Sequence, residues 1–146
     1  MTDEEIVMAR RAVETGAVRW MPGMLAIGIT SGLVTHRSRV LCSHDGTGGE
    51  SSTVHAGPDG LEVRCASEWG IMGCLECAYP DIADPATEGC LLAQVRERYG
   101  ARVYVRREIA MDSDYRWACI GGDDSGLGWG ASEGLAILNA LTRGEI

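Results

Sequence analysis

Phenylalanine is missing from this sequence, and aromatic residues make up only 5% of it. Four Trp and four Tyr therefore supply all the large rings, and most such rings are buried in protein cores. Long apolar runs are missing too, since none approaches the roughly 20 residues of a membrane span. The N-terminus reads TDEE instead of a basic segment followed by an apolar one, so we expect no signal peptide and a cytoplasmic protein.

Positive charge is also in short supply. With 13 basic and 21 acidic residues, the formal net charge is −8 at pH 7. Such a field repels a polyanion, so a nucleic-acid partner that binds through counterion release is not expected. An acidic surface remains compatible with a DNA mimic that acts as a decoy for a DNA-binding host protein, although Arg residues are interspersed with the carboxylates.

The length of 146 residues fits one compact α+β domain over 1–146, which buries roughly two-thirds of its unfolded surface without a metal or a disulfide. No internal repeat or low-complexity tract is visible. Six Cys residues in a cytosolic chain of this size indicate reduced thiols, some of them buried as small apolar side chains.

The clearest helix lies within Pro80–Gly100. Asp84 caps its start, Pro85 fits the first helical position, and Gly100 supplies a residue suited to a left-handed C-cap. The apolar positions recur every three or four residues, which predicts an amphipathic helix, central to the fold and packed on a sheet. Two further helices are predicted, one from a Thr2/Glu5 capping box and one capped by Ser132.

Strands are predicted in runs rather than in alternation with helices. The segments are 24–30, 39–42, 61–65, 101–109, 115–120 and a short return over 127–129. Two stretches, 43–60 and 67–79, have no periodicity and are predicted to be long loops. The order helix, three strands, helix, two or three strands, helix indicates an α+β fold with an antiparallel sheet of about five or six strands.

A metal site is one interpretation of the cysteines. Cys74 and Cys77 have the C-x-x-C spacing of a zinc knuckle, and Cys42 with His44 would complete a tetrahedral ligand set. The two halves lie in different predicted loops, however, and only one half has the knuckle spacing. Buried or solvated free thiols remain the alternative interpretation, and no cofactor is required.

Catalysis has weaker support. All three His residues, at positions 36, 44 and 55, lie in polar sequence where a solvated imidazole is the usual state, and no Cys lies in a nucleophile signature. An alternative enzyme hypothesis is a hydrolase that uses zinc or a loop His together with Asp45 or Asp59. The sequence favours a protein that does no chemistry.

A basic and aromatic strip offers a ligand site. Because side chains repeat every two residues along a strand, Arg102, Tyr104 and Arg106 are predicted to project from one face. A ring between two guanidinium groups suits a stacked base with its phosphates, although an ordinary solvated sheet face has the same pattern. Trp69 and Trp129 lie in Gly-rich surroundings and are the rings expected to line a pocket or to anchor a subunit contact.

Three segments together resemble a known family. They are Trp20–Met24 (WMPGM), Pro80–Leu92 (PDIADPATEGCLL) and the closing helix that starts at Ser132-Glu133. They resemble a family of small uncharacterised phage and prophage accessory proteins with a WMPGM turn and a PDL-DPAT-GCLLALVREAWG helix. The layout is more distantly similar to NinX-type phage proteins. Tyr99 stands where the family usually has Trp, and the Cys74-to-Cys77 pair is not part of the family's pattern.

The resemblance implies a phage setting in a bacterial host cell and not a reaction. Small phage proteins of this kind include inhibitors of host defence, some of which sequester cyclic nucleotide signals. We therefore expect a cytoplasmic, non-catalytic binding protein whose partner is a nucleotide-like small molecule or a host protein, and not a membrane. A homo-oligomer is compatible with this expectation, because a second copy often completes a pocket on a small sheet.

Overall fold

The computed structural model describes residues 1–30, 33–41, 53–57, 60–64, 71–74, 78–109 and 115–143. Within these ranges the chain forms three helices and nine strands. It divides into two compact units, one made of Met1–Val18 and Ile82–Ile146 and the other of Arg19–Asp81. The α+β class and the three helices are confirmed, whereas the placement of all residues in a single domain stays a prediction.

The unit 19–81 contains a six-stranded sheet. Its strands are β1 (Leu25–Thr30), β2 (Leu33–Leu41), β3 (Thr53–Gly57), β4 (Gly60–Arg64), β5 (Ile71–Cys74) and β6 (Tyr79–Pro80). Their order across the sheet is β5-β4-β3-β2-β1-β6. Neighbouring strands are antiparallel except β2 and β3, which pair in parallel. The sheet is therefore mixed, where the sequence predicted an antiparallel one.

The second unit holds the helices α1 (Asp3–Glu14), α2 (Pro85–Tyr99) and α3 (Glu133–Thr142). It also holds an antiparallel sheet of β7 (Tyr104–Ile109), β8 (Tyr115–Ile120) and β9 (Gly126–Gly130), in that order. With this sheet the described strands are divided between two sheets, where the sequence predicted five or six strands in one.

The predicted helix caps are confirmed. The Thr2 side chain accepts a hydrogen bond from the Glu5 amide, and the Glu5 carboxylate accepts one from the Thr2 amide at 2.6 Å, which completes the capping box. Asp84 accepts from the Thr87 amide at 2.9 Å, with Pro85 directly after it, and Ser132 caps α3. Gly100 ends α2 with a φ of +102°, in the region that favours glycine.

The central helix of this unit is α3, not α2. Helix α3 contacts all three strands of its sheet as well as α1 and α2, whereas α2 packs mainly on α3. The reason lies in composition, because nearly every residue of α3 from Gly134 to Thr142 is buried. Helix α2 is therefore not the central helix of this unit, although its Leu91 and Val95 are fully buried as its periodicity indicated.

Two glycines in β9 let α3 approach the sheet closely. A Cβ on Gly128 would overlap the Ala136 carbonyl oxygen and the Ala140 amide nitrogen, and one on Gly130 would lie 2.8 Å from the Ala136 nitrogen. Real Cβ atoms essentially never come that close. This face of the sheet is thus fixed against α3, and the side chains that alternate with it project from the opposite face.

Candidate functional site on the aromatic face

The face of the small sheet opposite α3 carries the predicted ligand strip. On β8, Ile120 pairs with Tyr104 of β7 and with Gly126 of β9, and Ala118 pairs with Arg106 and with Trp129. Residues paired in this way share one face of the sheet. We call this surface the aromatic face. Its members are Tyr104, Arg106, Glu108, Arg116, Ala118, Ile120, Gly126 and Trp129.

A chain of hydrogen bonds runs along the β7 side of the aromatic face. The Tyr104 hydroxyl donates to Asp124 Oδ1 at 3.1 Å and accepts from Arg106 Nη1 at 3.3 Å. Arg106 also donates to Glu108 Oε1, from Nε at 2.9 Å and from Nη2 at 2.6 Å. The Glu108 carboxylate raises the pKa of Arg106 above its usual value, since the hydrogen bond favours the charged guanidinium. The Arg106 cation is thus held in place by partners on both sides.

Each ring of the aromatic face has a guanidinium group over it. Arg106 Cζ lies 5.9 Å from the centroid of the Tyr104 ring, and Arg116 Cζ lies 5.6 Å from that of Trp129. Both distances fall within the range of a cation–π contact. The aromatic face therefore presents two ring-and-cation pairs side by side. Ala118 lies between them, since it pairs with Arg106 on one side and with Trp129 on the other.

Trp129 is the most exposed ring described, at 41% of its surface. A Cβ on Gly126 would overlap the benzo ring of Trp129, so the indole lies across that glycine and helps to cover its buried cross-strand neighbours. Its carbonyl oxygen accepts a hydrogen bond from Asn139 Nδ2 at 2.7 Å, which ties the backbone at this point to α3. The ring is therefore held on a fixed backbone while one side of it faces solvent.

The turn between β8 and β9 supplies the acid that holds Tyr104. Asp123 Oδ1 accepts from the Ser125 amide at 3.1 Å and from the Ser125 hydroxyl at 2.5 Å, and these hydrogen bonds lower the pKa of Asp123. Asp124 has a φ of +60°, an uncommon conformation that Asp tolerates better than most residues. This turn places the Asp124 carboxylate within hydrogen-bonding distance of the Tyr104 hydroxyl.

Among the predicted strip residues, Arg102 lies apart from the strand. It is exposed in the turn before β7, and a Cβ on Gly122 would lie 3.0 Å from Arg102 Cβ. The prediction that strand 101–109 starts at Ala101 is wrong by three residues, because the turn that follows α2 extends to Arg102. Tyr104, Arg106 and Trp129 are brought together, and whether they bind a ligand stays a prediction.

The remaining predicted residues lie outside the described part. Trp69, Cys42, His44 and Cys77 fall in ranges that the structure does not describe, and Cys74 is described only as a backbone position in β5. Across the described residues, no cluster of three or more His, Cys, Asp or Glu side chains is arranged to hold a metal ion. The zinc site and the hydrolase hypothesis stay untested predictions.

Sequence reasoning did not identify three members of the hydrogen-bonded and stacked set, namely Glu108, Arg116 and Asp124. The alternation of 101–109 puts Glu108 on the same face as Tyr104 and Arg106, but it gives Glu108 no role. Arg116 could have been identified from the sequence, because it is the one charged residue among the six of the predicted strand 115–120. Asp124 could not be found, since its contact with Tyr104 depends on the turn geometry.

Comparison with known proteins adds no homologue. No family model matches the chain, and no curated protein or solved structure matches it either. In the described part of the chain, none of the helices combines the length and the apolar character needed to cross a membrane.

Proposed function

We propose that this chain is a non-catalytic binding protein that holds a small nucleotide-like molecule on the aromatic face. The observation that carries the proposal is the pairing of two rings with two guanidinium groups on one face of a sheet whose other face is fixed on α3. A planar base stacks on such rings, and each stacked base contributes about 1 to 3 kcal/mol. The guanidinium groups offer charge-assisted hydrogen bonds to phosphate oxygens.

The acids beside the strip support this assignment. In the free protein the Arg106 guanidinium donates hydrogen bonds to Glu108, and the Tyr104 hydroxyl donates one to Asp124. The cation and the ring are therefore positioned before a ligand arrives. A phosphate group can take over the hydrogen bonds that Arg106 makes to Glu108, because both are oxygen anions. Replacing one oxygen anion with another gives little net gain in binding free energy, so inorganic phosphate alone should not bind. A ligand that also stacks a base on the rings gains the additional stacking energy.

The biological setting of the proposal rests on the sequence resemblance. The WMPGM turn and the helix that begins after Asp84 support a phage accessory protein in the cytoplasm of a bacterial host. In that setting we propose that sequestration of a nucleotide-like signal inhibits a host defence. A host protein that docks on the same face is the alternative occupant of the site, and the experiment below separates the two.

The test is a melting-temperature and tryptophan-fluorescence titration of the full chain with linear and cyclic nucleotides. We expect at least one nucleotide to raise the melting temperature and to quench fluorescence in a saturable way. Trp129→Leu keeps a side chain over Gly126 but removes the stacking ring, so it should weaken binding about tenfold or more. Inorganic phosphate should leave both signals unchanged.

The matched control is Tyr99→Leu. Tyr99 is another partly exposed ring of the same unit, but its hydroxyl donates to the Ala140 carbonyl oxygen, and it lies on α2 instead of the aromatic face. Binding should therefore survive this change. If every nucleotide leaves the melting temperature unchanged at saturating concentration, or if Tyr99→Leu and Trp129→Leu weaken binding equally, the aromatic face is not the nucleotide site.

A further inference from the structure

The outer edge of β7 is a candidate interaction surface that borders the aromatic face and shares Arg106 and Glu108 with it. Strand order in the described part gives β7 a single neighbour, β8. The edge strand of a sheet can add a further strand through its backbone donors and acceptors. Ile109 at its end is 67% exposed, the largest exposed fraction among the described large apolar side chains.

The other edge of this sheet is occupied differently. Along β9 the Gly126 carbonyl oxygen accepts a hydrogen bond from Arg143 Nη1 at 2.6 Å, and the Trp129 carbonyl oxygen accepts one from Asn139. Side chains from α3 and its C-cap thus use two acceptors of β9. Strand addition to this sheet is therefore expected at β7.

The residues of β7 complement a second copy of themselves. In an antiparallel pair of identical strands, directly opposed side chains lie on the same face of the sheet. An odd-numbered residue must therefore pair with an odd-numbered one, and an even-numbered residue with an even-numbered one. When Arg107 lies on the two-fold axis, Arg106 of each copy lies opposite Glu108 of the other copy. In the same way, Val105 of each copy lies opposite Ile109 of the other. Opposite charges and apolar pairs at these positions are favourable.

The adjacent register is worse. Centring the pair on Arg106 makes that residue face its own copy, sets Val105 against Arg107, and forms no pair of opposite charges. The register centred on Arg107 also has one like-charged pair, at the two-fold axis, but four of its five pairs are favourable. The charge and apolar pattern of β7 therefore favours the register centred on Arg107 over the adjacent one.

We propose that the chain forms a two-fold homodimer in which β7 pairs antiparallel with β7 of a second copy, in the register centred on Arg107. The two small sheets then become one six-stranded sheet, in which the exposed Ile109 packs beside Val105 of the other copy. The two-fold axis is perpendicular to this sheet, so both aromatic faces lie on the same side, with Arg106 and Glu108 of each copy at the junction. The dimer shares Arg106 and Glu108 with the proposed ligand site. The oligomeric state is measured without nucleotide, so the dimer and the ligand site can each fail without the other.

Charge reversal across the interface tests the register. Arg106→Glu places Glu opposite Glu, and Glu108→Arg places Arg opposite Arg, in both symmetric pairs at once. Each single variant should raise the dimer dissociation constant about tenfold or more, since two pairs reverse together. An equimolar mixture of the two variants should form a heterodimer, because each interchain pair then joins Glu to Arg. Sedimentation velocity and native mass spectrometry of differently tagged chains measure all four samples.

The mixture separates pairing between chains from pairing within a chain. Both variants keep like charges at positions 106 and 108 of their own chain, so a recovered dimer can come only from interchain pairs. Glu14→Arg, a charge reversal on exposed α1, should dimerise like the original chain. Circular dichroism and the melting temperature establish that each variant folds. A monomeric original chain, a dimer that persists in both variants, or a mixture that fails to form heterodimers would overturn the proposal.

Discussion

At the scale of single residues, the Tyr104 hydroxyl shows how the aromatic face is built. It donates to Asp124 and accepts from Arg106, so one side chain joins the turn before β9 to the strand β7. The alternation of 101–109 was sufficient to place Tyr104 and Arg106 on one face, because strand periodicity is a local property. Asp124 lies 20 positions from Tyr104, and Trp129 lies 13 positions from Arg116. Their contacts follow from turn geometry and strand pairing, which no local pattern specifies.

Cys119 is a residue whose chemistry burial controls. Burial raises the pKa of its thiol to about 11, opposed by the nearby charge of Arg96. At neutral pH its thiolate fraction is about 10⁻⁴, and the thiolate is the reactive form. We therefore expect iodoacetamide to leave Cys119 unmodified in the folded chain and to modify it in urea, as measured by peptide mass spectrometry.

The half-buried Cys90 on α2 provides the internal comparison for this measurement. Its peptide should become modified in the folded chain well before that of Cys119. Equal modification of Cys119 in the folded and unfolded chain would show that the thiol is accessible and that burial does not control it.

At the scale of elements, local signals predicted the helices better than the strands. Thr2, Asp84 and Ser132 each cap a helix through a side-chain oxygen close in sequence, so their roles can be inferred without the fold. Strands β3 and β5 fall in the stretches 43–60 and 67–79, which are rich in Gly, Ser and polar residues and were predicted to be loops. That prediction is wrong there, because strand pairing overrides weak β propensity.

The contact between α3 and β9 carries the element-scale prediction. Gly128→Ala would place a Cβ against the backbone of Ala136 and Ala140, so helix and strand must separate. We expect the free energy of unfolding to fall by about 2 kcal/mol or more, measured by urea denaturation.

Gly89→Ala is the matched control. Gly89 is exposed within α2, and nothing lies within 4 Å of a Cβ built there. The same substitution should therefore stabilise the chain by about 0.5 to 1 kcal/mol, because alanine is the better helix former. A Gly128→Ala variant as stable as the original chain would mean that α3 and β9 are not in close contact.

At the scale of the whole molecule, the choice of cation matches the geometry of the aromatic face. All 13 basic residues are arginine, and the sequence contains no lysine. Arginine stacks on rings and forms two parallel hydrogen bonds to an oxygen anion, whereas lysine is a strongly hydrated point charge. Both described ring contacts, at Tyr104 and Trp129, use this property. The net charge of −8 repels a polyanion, whereas a small anionic ligand needs only the few arginines of the aromatic face.

The pH dependence of the fold combines two carboxyl groups near helix starts. Burial acts to raise the pKa of Glu5, but hydrogen bonds from Ser132, at 2.5 Å, and from the Thr2 amide, together with the N-terminal charge, lower it overall below 4.5. Burial raises the pKa of Glu88 above the same value, and the nearby carboxylates of Glu133 and Asp84 add to the effect. The two groups therefore influence stability in opposite directions.

Glu5 stabilises the fold fully above its unfolded pKa, and this contribution is lost as the pH falls through its lower folded pKa. Glu88 does the reverse, because stability declines as the pH rises from 4.5 through its higher folded pKa. At neutral pH we expect Glu5→Gln to lower the free energy of unfolding by about 1 kcal/mol and to flatten its acid dependence. Glu88→Gln should raise that free energy by a few tenths of a kcal/mol, since solvent screens this more exposed group. Urea denaturation across the acid range measures both, and a neutral-pH change of the same sign in the two variants would contradict the opposed shifts.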